Sequence, residues 1–146
     1  MPLVVEVKEK VQRILTNNFG SVRIDSDGDF IATYNSAVVF ISVESGFGDD
    51  GVFVQFRCPL VTDLDLTNDV YKWVATEGQL RRFGQCRVIL SSKNPNQGSI
   101  WNEYCLIADD LDESELMGAL RAIQFASESW DTEIQSKFGG ELFGED

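Results

Sequence analysis

The residues best placed to do chemistry in this chain are acidic. Asp109-Asp110 with Asp112-Glu113, and Asp63 with Asp65, bring carboxylates close enough in sequence for a general acid and a general base to share a site. Each cluster also precedes a stretch of helical spacing, where negative charge complements the helix dipole, and capping is the stronger reading. Histidine is absent, which removes the usual general base, the usual partner of a nucleophile and the commonest metal ligand together. Gly46-Phe47-Gly48-Asp49-Asp50-Gly51 spells G-x-G-x-x-G, the turn that lets a helix N-terminus approach a pyrophosphate. Here a strand-like run follows it, and its two aspartates repel phosphate, so it reads as a hairpin loop. Asp25, Asp27 and Asp29 around Gly28 resemble an oxygen-rich calcium loop without the later bidentate glutamate or the flanking helices, and they read as a β-turn. The expectation is therefore no catalytic residue, no metal and no cofactor.

The three cysteines, Cys58, Cys86 and Cys105, form no C-x-x-C pair and suit a reducing compartment, each as a small hydrophobe in a strand. The 146 residues fit one domain that buries roughly 68–70% of its unfolded surface. Acidic residues outnumber basic ones 24 to 12, and the net charge of −12 opposes nucleic acid and anionic membrane as partners. The opening Met1-Pro2-Leu3-Val4-Val5-Glu6 lacks the basic segment of a signal peptide. No apolar run approaches the roughly 20 residues of a membrane span, so the expected location is cytoplasmic.

The elements that must position any site follow from periodicity. Val7, Val11, Ile14 and Leu15 recur at helical spacing, predicting an amphipathic helix over 5–18 that ends at Phe19-Gly20. The period then shortens to two through Val22 to Asp25, Phe30 to Tyr34, Ala37 to Glu44 and Val52 to Leu60, with turn chemistry at Asp27-Gly28, Asn35-Ser36 and Gly46 to Gly51. A short helix is predicted from Thr67 to Gln79, strands over 84–91 and 98–108, and a last helix opening at Asp112 with Glu115 three residues on. Phe138-Gly139-Gly140 stops that helix and leaves 141–146 as an acidic C-terminal tail after a single 1–140 domain. The order α-β-β-β-β-α-β-β-α predicts an α+β fold with about six antiparallel strands and flanking helices.

Several strands are apolar at both parities, more than a sheet with one buried face requires. Val39, Ile41 and Val43 are expected to face the helices, with Val38 and Phe40 opposite; Phe53 leaves the Val52, Val54, Phe56 face, and Trp101 lies opposite Tyr104 and Leu106. Either a helix or loop of the chain covers this second face, the stronger reading, or it is an exposed apolar patch on which Phe40, Phe53 and Trp101 are the candidate contacts for a peptide or protein partner. Core packing is the stronger reading of Trp73; on the second reading Tyr71 and Trp73, with Arg81 and Arg82, form a locally basic and aromatic surface and are the candidates for self-association as a homodimer.

Taken in order along nearly the whole chain, five features make the sequence resemble the bacterial YbjN-like relatives of type III secretion chaperones. They are the opening helix ending in Phe19-Gly20, the Asp27-Gly28 hairpin, the Trp73-Val74-Ala75 helix leading to Phe83-Gly84, the capped helix near Asp112 with Leu116 and Leu120, and the closing Phe138-Gly139-Gly140. The resemblance implies an α+β sheet with flanking helices and a noncatalytic protein that binds a peptide or protein client, often as a dimer, without nucleotide or metal. A regulatory adaptor that binds a folded partner in bacterial signalling or secretion is the alternative function.

Overall fold

The computed structural model describes residues 3–47 and 51–143. Helix α1 (Val4–Phe19) buries the predicted stripe Val7, Val11, Ile14 and Leu15 and stops at Gly20, whose φ of 80° is open to glycine. Strands β1 (Arg23–Ile24), β2 (Phe30–Tyr34), β3 (Ala37–Phe47) and β4 (Gly51–Asp65) follow as an antiparallel meander. The Asp25 carboxylate accepts the amides of Asp27 and Asp29, both at 2.9 Å, so this acidic loop closes on its own backbone.

Helix α2 (Asn68–Ala75) is capped by the Thr67 hydroxyl, which accepts the Val70 amide. It ends earlier than its sequence predicts. The Thr76 hydroxyl donates back to the Lys72 carbonyl at 2.7 Å, and the chain continues as a 3-10 turn, Glu77–Gln79. Strands β5 (Gln85–Leu90) and β6 (Gln97–Ile107) pair antiparallel. Helix α3 (Glu113–Phe138) starts as expected, with the Asp112 carboxylate accepting the Glu115 amide at 2.7 Å.

The sheet runs β1-β2-β3-β4-β6-β5, and a seventh strand, β7 (Glu141–Leu142), pairs with β4 at Val61 and Thr62. The expected tail therefore begins as a strand over its first two residues, and 144–146 lie outside the described residues. Pro59 sits inside the central strand, which its missing amide disfavours; the ladder shifts register between Pro59 and Val61, where a bulge accommodates it.

One parity of the sheet joins the helices in a single core: Ala32, Val39, Ile41, Val54, Phe56, Leu60 and Ile100 meet Leu15, Trp73, Leu120, Ile123 and Trp130. Buried polar groups are tied across the layers. Asn102 donates to the Ser127 hydroxyl at 3.0 Å, and Ser36 donates to the Asp131 carboxylate at 2.8 Å. Trp73 belongs to this core: it is 5% exposed, meets Trp130 edge-on at 6.2 Å and donates to Glu133 at 2.9 Å. Its ring is thereby closed to a second copy, while Tyr71 beside it is exposed.

Candidate functional site

The other parity of β3, β4 and β6 makes the opposite face, where Val38, Phe40, Phe53, Gln55, Arg57 and Trp101 are half-buried and Pro59 is buried. Register aligns Phe40 with Arg57 and Glu103, Ser42 with Gln55 and Cys105, and Glu44 with Phe53 and Ile107. Pro59 lies opposite Trp101 at one end. Val38 sits two residues before Phe40 on the same side of β3, as alternation dictates.

Three zones result along the strands. At the first, Phe40 stands 6.4 Å from Trp101 and 6.0 Å from Phe143, the residue after β7. The middle zone is charged: Arg57 pairs with Glu44 at 3.6 Å, and Arg87 with Glu103 at 3.5 Å. The third zone holds Phe53 beside Ile107, which is 64% exposed. The structure thus brings Phe40 and Trp101 together and places Phe53 on the same face, beyond Arg57 and Gln55.

Such an arrangement suits noncovalent binding. Aromatic rings in an apolar cluster can bury a partner's side chains, and the flanking ion pairs can be exchanged for bonds to a partner's polar groups. The ionisable groups are poorly suited to nucleophilic chemistry. Burial pushes the Cys58 thiol up to about 12 and raises those of Cys86 and Cys105, so none is a ready thiolate near neutral pH. The Asp112 carboxylate is used as a helix cap, and that of Asp65 accepts the Gln97 amide at 3.0 Å. Where the glycine-rich motif lies, β3 and β4 pair antiparallel up to Phe47 and Gly51, which is a hairpin register; residues 48–50 lie outside the described residues.

Of the basic and aromatic surface, Arg81 lies over the Trp130 ring at 5.6 Å and donates to Ser129 at 2.8 Å. Arg81 and Arg82 both line a depression with Gln85 and Glu103. Phe143 is the residue that sequence reasoning missed. The signal was the apolar pair Leu142-Phe143 directly after two glycines, masked by the acidic residues around it.

Comparison with known proteins adds three findings. The family described as "T3SS (YopN, CesT) and YbjN peptide-binding chaperone 1" matches residues 6–146. Among solved structures, the crystal structure of the ExsC-ExsE complex is similar at a TM-score of 0.65, with 13% identity, covering 90% of this chain and 96% of that one. No curated protein matches the sequence. The structural likeness supports the α+β fold with its antiparallel sheet and helices on one side.

Proposed function

Because the chain belongs to the family of T3SS and YbjN peptide-binding chaperones, we propose that its uncovered sheet face holds an extended apolar segment of a protein client. Phe40 and Trp101 are the anchors of this reading, and Phe53 extends the contact beyond the charged middle zone. The observation that carries it is the packing of Phe40 with Trp101 on the side of the sheet away from the helices. An aromatic cluster there remains part-exposed in the monomer and gains burial from a partner. A solved structure of similar fold is a complex of ExsC with ExsE, in keeping with a protein partner for this chain.

On this reading the protein is a noncatalytic, cytoplasmic client-binding domain. Among the described residues no helix is long and apolar enough to cross a membrane, and no group of metal-ligating side chains is gathered. A homodimer would use Tyr71 and the Arg82 side of the molecule, since Trp73 belongs to the core. Sedimentation of Tyr71→Arg tests that mode, which requires a shift toward the monomer.

A photocrosslinking side chain at position 40 tests the client site. Added to an unfolded, carboxymethylated model protein, it should crosslink efficiently, while the same group at Gln12, on the exposed side of α1, should not. Equal crosslinking at both positions would move the client elsewhere.

A further inference from the structure

A groove of about 460 Å³ opens on the helix side, away from the sheet face. Phe19 from the end of α1, Tyr34 from β2, and Met117 and Phe125 from α3 form its apolar lining. Phe125 is 71% exposed, an unusual cost for a large apolar side chain in the middle of a long helix.

Two of its polar groups are unmatched. Gln124 lines the groove and is 4% exposed, yet its amide nitrogen has no hydrogen-bond partner. Buried side-chain donors are normally satisfied, and an orphaned one marks a place where an acceptor is missing. Arg121, also in the lining, has no carboxylate within ion-pair distance among the described residues, although the chain carries a net charge of −12. The neighbouring amides are already engaged: Asn18 donates to Glu113 at 2.9 Å, and Asn35 to Glu128 at 3.3 Å.

We propose that this groove is a second binding site, taking a short apolar peptide segment that carries one carboxylate. An apolar side chain covers Phe19 and Phe125, a backbone carbonyl accepts the Gln124 amide, and the carboxylate pairs with Arg121. Glu113 and Glu128 disfavour a second acid. The volume lies within the range of small-ligand sites, room for a few residues. Choosing a peptide as occupant rests on the peptide-binding reading above; the unmatched groups do not.

The test is a titration of the isotope-labelled full chain, following the Gln124 side-chain amide and the Trp101 indole by NMR. The probes are two pools of hexapeptides acetylated at the N-terminus and amidated at the C-terminus, each peptide carrying two leucine or phenylalanine residues and one aspartate, with asparagine replacing aspartate in the second pool. Expected is a saturable Gln124 shift with the acidic pool, about tenfold weaker with the asparagine pool. Arg121→Gln should erase that preference, and Phe40→Asp should leave the Gln124 shift unchanged. No Gln124 shift at millimolar pool, an equal response to both pools, or loss of the shift in Phe40→Asp would each overturn the proposal. So would a response to decanoate alone, or a Gln124 shift on simple dilution, which would assign the groove to a lipid or to a second copy. The Trp101 signal reports the sheet face separately, so either site can fail without the other.

Discussion

The ring of Phe143 meets that of Phe40 edge-on, with centroids 6.0 Å apart, so the residue that follows the last strand lies on the proposed client face. Two glycines make the approach possible. Gly139 and Gly140 have φ of 83° and 82°, and a Cβ on Gly140 would collide with Val61 and stand 2.9 Å from the Thr62 carbonyl. The strand they deliver is only two residues long. Deleting residues 141–146 should therefore cost only about 1–2 kcal/mol, because Phe143 is half-buried, while increasing the binding of an apolar dye to the sheet face. Denaturant unfolding and dye fluorescence check both parts. Reduced dye binding would mean that Phe143 builds the apolar surface more than it covers it.

Gly84, by contrast, is needed for the core. Its φ is 106°, and a Cβ there would collide with the buried Asn102 amide, with Cγ at 2.8 Å. Asn102 is itself held by Ser127 across the layers, so it has little room to retreat. Gly84→Ala should cost about 2–4 kcal/mol. Gly118→Ala, on the exposed side of α3 with nothing near the added methyl, should gain about 0.5–1 kcal/mol. Urea denaturation of the two variants gives the contrast; similar losses at both would contradict the geometry.

Asp131 sets a pH dependence. Burial raises its pKa above the ordinary 3.8, opposed by hydrogen bonds from Ser36 and Thr132 and assisted by Glu128. With the folded value above the unfolded one, the folded state binds more protons between the two. The contribution of Asp131 to stability is therefore greatest below the unfolded value and declines as pH rises through the folded one. Asp131→Asn keeps an acceptor for Ser36 and removes this dependence. Relative to wild type its Tm should be most favourable at pH 7, with the advantage shrinking toward pH 3.8. A difference between variant and wild type that stays constant over this range would refute the burial account.

Much of this was legible in the sequence because it depends on local periodicity. Alternation in Ala37 to Glu44 separates Val39 and Ile41, which are fully buried, from Val38 and Phe40 on the other face. The Asp112 cap and the Asp27-Gly28 turn are likewise local chemistry. Features that depend on remote partners were not legible. Strand β7 is too short to show alternation and is held by β4 and by Phe40. Core packing is the stronger reading of Trp73 from sequence, but the partners that enclose it, Trp130 and Glu133, lie far along the chain and appear only in the fold. The helix-side groove joins Phe19, Tyr34 and Phe125 from three separate elements, and no window of sequence holds them together.

Affinity for an unfolded client tests the central claim most directly. Fluorescence anisotropy of a labelled, carboxymethylated model protein should be compared between wild type and Phe40→Asp with Trp101→Ala, after circular dichroism shows that the double variant remains folded. Removing the two aromatic anchors of the interface should weaken binding by about 2–4 kcal/mol, or at least tenfold. Unchanged affinity in the folded double variant would contradict a client site on this face of the sheet.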